Sequence, residues 1–427
     1  MLDINRIRNN PEEVKNALLK RMDAVDFTEL LQWDKQRREL IVLNDEKKAK
    51  RNKVSNDVPR LKKEGKDVSQ LFQEMKTLSD DIKQNDEKLR EIEDKIHDYL
   101  SALPNIPAED VIAGGKESNE VLRVWGEKPV FDFETKNHVD LATDLNLIDY
   151  ERGVKIGGNS FWVYTGVGAI LEWALLNYFI EEHLKDGYTF LLPPHILNYK
   201  CGYTAGQFPK FTEDVFKIDT SEANESMQFL LPTAETALVN YHVNEILTED
   251  ELPRKYFAYT PCYRREAGSY RAEERGMIRG HQFNKIEMFQ YTTPEDSENA
   301  FVELVTKAEK LVQGLGLHHR VSKLAAKDCS ASMGKTFDIE VWIPSMNDFK
   351  EVSSASNAYD YQARRGNIRF RRQSTGRTEF IHTLNASGLA TSRIFPAILE
   401  QYQQEDGSVV VPEVLRKWVG TDIIKNV

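Results

Sequence analysis

The stretch Cys262–Met288, CYRREAGSYRAEERGMIRGHQFNKIEM, decides how this chain is interpreted. Apolar and polar residues alternate around Tyr263 and across Ile286–Met288, which is typical of β-strands. The segment between these ends contains Gly268 and Gly276 among many charged residues, as expected of a turn. The sequence therefore predicts a strand, a charged loop and a returning strand.

This predicted hairpin is rich in arginine. Its charged residues of interest are Arg264, Arg265, Arg271, Arg275 and Arg279, with Glu266 and Glu287. A guanidinium group can hold a phosphate in two places. Neither GxxxxGK[ST] nor GxGxxG occurs in the sequence, so neither common glycine-rich phosphate cradle is present. Composition alone fits either a triphosphate site built from arginines or a solvated hairpin with surface ion pairs, and charge content by itself favours the second.

The hairpin resembles motif 2 of class II aminoacyl-tRNA synthetases, in the form of the seryl-tRNA synthetases: FRSEAGS, then RGxxRxHQFxKxE. The first half is matched by Tyr263–Ser269. The second half is matched by Arg275, Gly276, Arg279, His281, Gln282, Phe283, Lys285 and Glu287. The resemblance covers essentially the whole chain. It implies an α+β fold, with an antiparallel sheet flanked by helices and preceded by a long antiparallel two-helix coiled-coil arm.

The bulk composition suits a soluble protein of two or three domains. Of the 427 residues, 40% are hydrophobic and 29% are charged. The N-terminus, MLDINRIRNN, is too charged for a signal peptide, and no apolar run of about 20 residues occurs, so we expect no membrane segment and a cytoplasmic location. Three widely spaced cysteines (Cys201, Cys262 and Cys329) indicate a reducing compartment and no C-x-x-C zinc site.

The N-terminal third predicts two long helices between about residues 27 and 100. The second has a heptad seam with one polar member: Leu71, Met75, Leu78, Ile82, Asn85, Leu89, Ile92, Ile96 and Tyr99. The first has a weaker seam: Leu30, Trp33, Leu40, Leu43, Val54 and Val58. We expect Pro59 to end or kink the first helix, and Lys62–Lys66, around Gly65, to form the turn.

The net charge of −11 hides an asymmetry. From Lys35 to Lys66, twelve Lys or Arg and five Asp or Glu give +7, which leaves −18 for the remainder. Such charge fits a solvated coiled coil, or an arm that lies on RNA phosphates. The layout resembles the tRNA-binding arm of bacterial-type seryl-tRNA synthetases, which implies tRNA(Ser), and also tRNA(Sec), as partners. We expect an arm domain at residues 1–110 and a catalytic domain at 111–427.

Two further segments have both a plain and a family interpretation. Gly187–Pro194, GYTFLLPP, predicts a short strand that enters a proline turn, and it resembles motif 1, which implies a homodimer interface around Pro194. Thr233, Ala234 and Glu235 follow an apolar strand and fit a helix start. The same TAE matches the family's serine-binding stretch, although the residues after it depart from the usual valine-proline-leucine.

The segment after the predicted strand Phe337–Pro344 contains Glu351, Val352, Ser353 and Ser354. Oxygen ligands of this type suit Mg²⁺. A lone Glu-x-x-Ser is a weak signal, but the segment resembles the family's KEISSxSN stretch.

His382–Gln403 contains Ser387 and Arg393 ahead of a helix and resembles motif 3. It departs from the usual LNGSGLAVGR, because Ala386 and Ser392 replace glycines. We expect these two side chains to narrow the site, with an effect on ligand or inhibitor binding.

By this resemblance the chain joins L-serine to tRNA through a seryl-adenylate, with ATP as substrate and Mg²⁺ as cofactor. The implied catalytic residues are Arg264 and Arg393. The implied ATP-binding residues are Arg264, Arg265, Glu266, Phe283, Glu351, Val352, Ser353, Ser354 and Arg393. The implied serine-binding residues are Thr233, Ala234, Glu235, Arg264, Glu287 and Ser387. Glu351 and Ser354 would hold Mg²⁺.

Three alternatives stay open at this point. The first is a specialised paralogue with altered inhibitor tolerance or a biosynthetic role, motivated by Ala386 and Ser392. The second is an amino acid:carrier-protein ligase, a class that lacks the long arm. The third is a catalytically inactive tRNA-binding paralogue.

Overall fold

The computed structural model describes residues 1–219, 227–266 and 276–426. The chain forms two compact units, Leu2–Leu103 and Pro104–Val427, with Met1 grouped with the second. The predicted loop residues Ala267, Gly268, Ser269, Arg271 and Arg275 lie outside the described ranges. Within those ranges, no helix combines the length and the apolar character needed to cross a lipid bilayer.

The N-terminal unit is entirely helical in its regular elements. Its helices are α1 (Ile4–Asn9), α2 (Pro11–Leu18), α3 (Thr28–Lys63) and α4 (Ser69–Ala102). The two long helices confirm the predicted pair, and Gly65, with φ of +72°, lies in the turn between them. Pro59 does not end α3, which continues to Lys63, so an end at Pro59 is wrong and a kink there stays a prediction.

The seam of α4 is confirmed, whereas the seam predicted for α3 needs one correction. Leu43 is 41% exposed, and the neighbouring Asn44 is buried in its place. Asn44 pairs with the seam residue of α4, since Asn85 Nδ2 donates to Asn44 Oδ1 at 2.9 Å. Lys47 Nζ lies 2.8 Å from an Asp81 carboxylate oxygen, which gives the two helices an antiparallel register. Apolar periodicity alone misses Asn44 because Asn44 is itself polar and is buried through its hydrogen bond to Asn85.

The second unit combines nine described α-helices with many strands. Its helices are α5 (His138–Asp144), α6 (Tyr150–Gly157), α7 (Gly166–Lys185), α8 (Tyr199–Thr204), α9 (Glu235–Leu238), α10 (Ser297–Gly314), α11 (Tyr361–Gly366), α12 (Thr391–Gln401) and α13 (Arg416–Val419).

Its strands, in chain order, fall into one large sheet and several small ones. They are β1 (Glu120–Trp125), β2 (Ile148–Asp149), β3 (Val163–Tyr164), β4 (Thr189–Leu191), β5 (Ile196–Asn198), β6 (Lys217–Ile218), β7 (Gln228–Leu230), β8 (Ile246–Thr248), β9 (Arg254–Tyr263), β10 (Gln282–Thr292), β11 (His319–Lys323), β12 (Lys335–Ile343), β13 (Asp348–Tyr359), β14 (Arg369–Arg371), β15 (Thr378–Phe380), β16 (His382–Ala390), β17 (Val409–Val410) and β18 (Ile423–Ile424).

The large sheet has eight strands in the order β1-β11-β12-β13-β16-β10-β9-β4. All neighbours are antiparallel except β4 and β9, which run parallel. The predicted hairpin is confirmed as β9 and β10, with Tyr263 opposite Gln282. The predicted antiparallel sheet with flanking helices is therefore what the chain forms.

Side chains of the central strands alternate between two different environments, as the strand period of two requires. One face of these strands packs into the core against side chains from α7, α10 and α12. The strand residues on this face are Ile286, Met288, Ala355, Leu384, Ala386, Ile339 and Val341. The other face lines a cavity with polar groups: Lys285, Glu287, Thr336, Asp338, Glu340, Ser354, Ser356, Asn385 and Ser387. The alternation thus builds a polar floor on an apolar support.

The Asn44–Asn85 pair generates a prediction about the arm. Replacing Asn85 with leucine leaves the buried side-chain amide oxygen of Asn44 without its hydrogen-bond donor. The arm should therefore lose about 1–3 kcal/mol of local stability. Native-state hydrogen exchange of the α3 and α4 amides measures this loss. A double Asn44→Leu/Asn85→Leu variant should regain much of the protection; unchanged exchange in the single variant would contradict the argument.

Candidate active site

A cavity of about 840 Å³ lies over the polar face of the large sheet. Nine side chains selected from the sequence line it: Thr233, Glu235, Arg264, Glu266, Glu287, Glu351, Ser354, Ser387 and Arg393. Phe283 and Val352 line a smaller cavity of about 40 Å³, which shares Arg264, Glu266 and Arg393 with the larger one. Residues from three strands, two connecting segments and two helices are thereby brought to one place.

Arg264 follows β9 directly and lies between the two cavities. Its Nε donates to the Pro232 carbonyl oxygen at 3.2 Å. Its guanidinium carbon lies 5.2 Å from the centre of the Phe283 ring, a distance at which cation and ring attract. One edge of the guanidinium is thus held by the protein, which orients the group toward the cavity.

Thr233, Lys285 and Glu287 form a compact polar cluster on the cavity floor. Lys285 Nζ donates to Thr233 Oγ1 at 2.7 Å and also contacts the Glu287 carboxylate. Thr233 Oγ1 lies 3.3 Å from Glu287 Oε2. All three side chains are buried, so the ion pair has little contact with water and its orientation is fixed by hydrogen bonds.

Glu235, at the start of α9, has a perturbed carboxyl group on the cavity floor. Burial raises its pKa to about 7, and the charge of Glu287 acts in the same direction. Gln362 Nε2 donates to Glu235 Oε1 at 2.8 Å, and Gln362 Oε1 accepts a hydrogen bond from Thr383 Oγ1 at 2.7 Å. Two carboxylates beside each other at this depth favour a cationic ligand.

Arg393 is anchored on the opposite wall from the first turn of α12. Its Nη1 donates to the Glu351 carbonyl oxygen at 2.7 Å and lies 3.5 Å from Glu351 Oε2. Its Nε donates to the Ile278 carbonyl oxygen at 3.3 Å. Arg393 and Glu351 therefore form one unit that joins α12 to β13.

Glu351 and Ser354 lie beside a third oxygen donor that sequence reasoning missed. Ser354 Oγ donates to the Asp338 carboxylate. Burial, followed by the charge of Glu351, raises the pKa of Asp338 well above its usual range. This set of hard oxygen donors fits Mg²⁺. Among the described residues, no three His, Cys, Asp or Glu side chains form a preformed metal cluster, so substrate oxygens would have to complete the coordination.

Two family models match the chain. The model of the seryl-tRNA synthetase N-terminal domain matches residues 1–107, and that of the class II tRNA synthetase core domain (G, H, P, S and T) matches residues 216–402. A curated relative from Clostridium acetobutylicum, named serine–tRNA ligase 2, is 66% identical over 99% of this chain and 100% of its own length.

The chain belongs to the seryl-tRNA synthetase family.

Other relatives agree along the full length. The serine–tRNA ligase of Thermodesulfovibrio yellowstonii is 47% identical over 100% of both chains. Among solved structures, the seryl-tRNA synthetase of Pyrococcus horikoshii, in complex with ATP, has 34% identity, a TM-score of 0.92 and 100% coverage of both chains. The cytoplasmic serine–tRNA ligase of Naegleria fowleri, in complex with AMP, has 29% identity, a TM-score of 0.87 and coverage of 100% of this chain and 99% of its own.

Three residues selected by resemblance to this synthetase family have side chains that do not line the two cavities. Ala234 packs into a hydrophobic cluster. Ser353 Oγ donates to the Ser387 carbonyl oxygen at 2.6 Å, which ties β13 to β16. Arg265 Nη1 donates to the Glu213 carbonyl oxygen at 3.1 Å. Contact between these three residues and a ligand stays a prediction. It would have to involve their backbone atoms or a movement of the Arg265 side chain.

The two departures from the family pattern lie in different environments. Ala386 belongs to the hydrophobic core, on the face of β16 that points away from the cavity. Its methyl group therefore does not narrow the site, and that expectation is wrong. Ser392 lines the smaller cavity beside Phe283 and Arg393, where its hydroxymethyl group takes space.

Sequence reasoning gave no role to four polar residues that the fold brings to the site. They are Lys285, Asp338, Gln362 and Asn385. Asn385 Nδ2 is buried and has no hydrogen-bond acceptor within the described ranges. The available signal was strand alternation, which puts Asn385 on the same face as Ser387, and Lys285 on the same face as Glu287.

The Gln362–Glu235 contact generates a prediction about ionisation. Its hydrogen bond favours the ionised carboxylate, so Gln362→Leu should raise the pKa of Glu235 above about 7. Carbon-13 NMR of labelled glutamate carboxyl groups, assigned with a Glu235→Gln variant, measures the titration. Thr383→Val is the matched control, since Thr383 touches Gln362 in this network and should produce a smaller shift. An unchanged midpoint in Gln362→Leu would refute the assignment.

Proposed function

We propose that the chain ligates L-serine to tRNA(Ser) in two steps, through a seryl-adenylate made from ATP. The observation that carries this proposal is the convergence of two anchored arginines with a buried carboxylate pair in one cavity. Family membership and full-length similarity to serine–tRNA ligases support it. The ATP complex of the Pyrococcus horikoshii relative supports ATP as the nucleotide.

In the first step, the carboxylate of serine attacks the α-phosphorus of ATP and pyrophosphate leaves. Arg264 holds the α-phosphate and stabilises the charge that develops there, while Arg393 holds the γ-phosphate. The Phe283 ring stacks on adenine, and Glu266 contacts the adenine end. No protein nucleophile is required, so catalysis rests on positioning and on compensation of charge.

Serine recognition uses the carboxylates and hydroxyls on the cavity floor. Glu235 and Glu287 attract the substrate ammonium group, which supplies the cation that two adjacent carboxylates favour. Thr233 and Ser387 contact the small substrate. The Asn385 amide, which has no protein acceptor within the described ranges, is available to the substrate hydroxyl. A buried polar group of this kind discriminates against alanine, which would leave it unpaired.

Mg²⁺ is the metal that these residues would hold, with Glu351 and Ser354 as its protein ligands and Asp338 beside them. The metal supplies neutralisation of phosphate charge when it is bound. The protein's own contribution is to fix Glu351 against Arg393, so that negative and positive groups face the triphosphate in a set arrangement.

In the second step, the terminal ribose hydroxyl of the tRNA takes the seryl group. We propose that the coiled-coil arm, α3 and α4, grips the tRNA through its basic residues. Family resemblance extends the substrate to tRNA(Sec). We place the enzyme in the cytoplasm, as the name of the Naegleria fowleri relative states for that protein.

We further propose a homodimer that forms through the segment around Pro194. Apolar side chains there are exposed to an unusual degree, with Leu192 at 73% and Ile196 at 51%. Leu192 directly follows β4, which is one of the two edge strands of the large sheet, and Ile196 begins β5. On α7, Ile170 and Trp173 are also exposed, at 46% and 53%. Clustered apolar exposure at a sheet edge favours association of two copies.

The alternatives have less support. An inactive paralogue would have lost the groups that grip phosphate and metal, yet Arg264, Glu266, Glu351, Ser354 and Arg393 all line the cavity. The hypothesis of a specialised paralogue was based on the replacement of two family glycines by Ala386 and Ser392. Ala386 does not support it, because this residue lies in the core and not at the cavity.

Loss of Arg264 tests the adenylation step. Arg264→Ala should reduce serine-dependent ATP–pyrophosphate exchange by about 10²–10³-fold, because a preorganised charge at the reacting phosphate is removed. Arg152, an exposed arginine paired with Asp149, is the matched control, and Arg152→Ala should retain exchange. Near-normal exchange in Arg264→Ala would overturn the assigned role.

Removal of the outer arm tests the tRNA partner. Since Asn44 faces Asn85, residues 45–84 can be excised and replaced by a short turn with the remaining register intact. The shortened enzyme should keep pyrophosphate exchange and lose charging of tRNA(Ser), because all proposed adenylation residues lie in the other unit. Charging at the full-length rate would contradict an RNA-binding arm.

A further inference from the structure

A buried carboxyl group outside the substrate cavity joins the elements that carry the nucleotide-binding residues. Glu172, on α7, is only 2% exposed. Within the described residues it forms no ion pair with lysine, arginine or histidine, and the hydrogen bonds that favour its ionised form come from the neutral side chains of Thr391, Asn284 and Tyr164. Burial of an acid without a cation is costly, so its retention in a core helix calls for a specific role.

The first partner of Glu172 lies on the strand that carries Phe283 and Lys285. Asn284 Nδ2 donates to Glu172 Oε1 at 2.8 Å. The other amide atom of Asn284 accepts a hydrogen bond from the Tyr259 hydroxyl at 3.1 Å, which fixes the direction of the amide. Asn284 thereby attaches β10 to α7 at the residue between two site residues.

The second partner lies two residues before Arg393. Thr391 Oγ1 lies 2.6 Å from the same Glu172 Oε1 atom and 3.1 Å from the Asn284 carbonyl oxygen. Thr391 is the first residue of α12 and is fully buried. Because Arg393 belongs to the same helical turn, the position of Thr391 sets where the arginine leaves the helix.

The ionisation of Glu172 falls in the neutral range. Burial raises its pKa to about 7, although hydrogen bonds from Thr391, Asn284 and Tyr164 lower it in part. The titratable groups that face it are the hydroxyls of Tyr164 on β3 and Tyr259 on β9, and both stay neutral because burial and the charge of Glu172 raise their pKa. The protonation of Glu172 is therefore the change that this network undergoes between acidic and alkaline solution.

We propose that Glu172 is a positioning residue for the nucleotide: it sets the spacing between β10, with Phe283, and α12, with Arg393, and so controls ATP affinity. The proposal rests on the proposed function, because it takes ATP as the ligand of these two side chains. Glu172 does not line either cavity, and it acts through Asn284 and Thr391.

The ionised carboxylate is the stronger acceptor for both donors. ATP affinity should therefore depend on the charge of Glu172. A Glu172→Gln variant keeps the shape and both hydrogen bonds but cannot ionise. The ratio of the ATP Kd of this variant to that of the wild type should be about one at about pH 6 and rise to about five at about pH 8.5. Forming the ratio cancels the titration of ATP itself.

Two further variants separate positioning from general stability. Thr391→Val removes the link to α12 and should weaken ATP binding several-fold at alkaline pH, with a smaller change in the serine KM. In a double variant with Glu172→Gln, the increase in ATP Kd should be smaller than the product of the increases in the two single variants. Glu309→Gln is the matched control and should leave the ATP Kd unchanged. Glu309, on α10, is a buried acid that is paired with Arg123 on β1.

Isothermal titration with ATP, with thermal melting of each variant, provides the measurement. A Glu172→Gln ratio that does not vary with pH, a Thr391→Val variant with wild-type ATP affinity, or an equal loss in Glu309→Gln would overturn the proposal. If the wild type binds ATP but does not exchange pyrophosphate with serine, the proposed function fails while this inference stands. If the wild type does not bind ATP, both fail.

Discussion

The eight-stranded sheet has to bury one face and keep the other accessible, and the rest of the catalytic unit follows from that constraint. Side chains alternate across a strand, so each central strand must supply apolar groups to the helices and polar groups to the cavity in turn. Ile286 and Met288 enter the core, while Lys285 and Glu287 face the cavity from the same strand. A shift of one residue in register would exchange the two sets, so the same pattern that stabilises the fold also fixes the site.

Electrostatics then divides the cavity into regions. On the floor, Glu235 and Glu287 lie together in a buried place where a cation is favoured. On the walls, Arg264 and Arg393 are each held by carbonyl oxygens, which leaves their remaining donors for an anion. An amino acid has an ammonium group and ATP has phosphates, so the two substrates are sorted by charge before any bond is made.

The two units solve the burial of polar groups differently. In the arm, the polar seam residues Asn44 and Asn85 satisfy each other across the helix pair, so that register is set by a hydrogen bond as well as by apolar packing. In the catalytic unit, Glu172 and Gln362 are buried behind the site and bind site residues or their neighbours. Such outer contacts hold the residues that line the cavity in a single geometry.

The sequence by itself determined the two long helices, the β9–β10 hairpin, the sheet with its flanking helices, and nine of the residues that line the larger cavity. Periodicity and the length of the matching motifs are local properties, so they can be read without coordinates. Tertiary structure alone decided that Asn44 replaces Leu43 in the seam and that Ala386 faces the core. It also decided that Asp338 and Asn385 line the cavity and that Gln362 contacts Glu235. The physical reason is that burial, pKa and hydrogen-bond partners depend on neighbours distant in the chain, which only the packed sheet brings together.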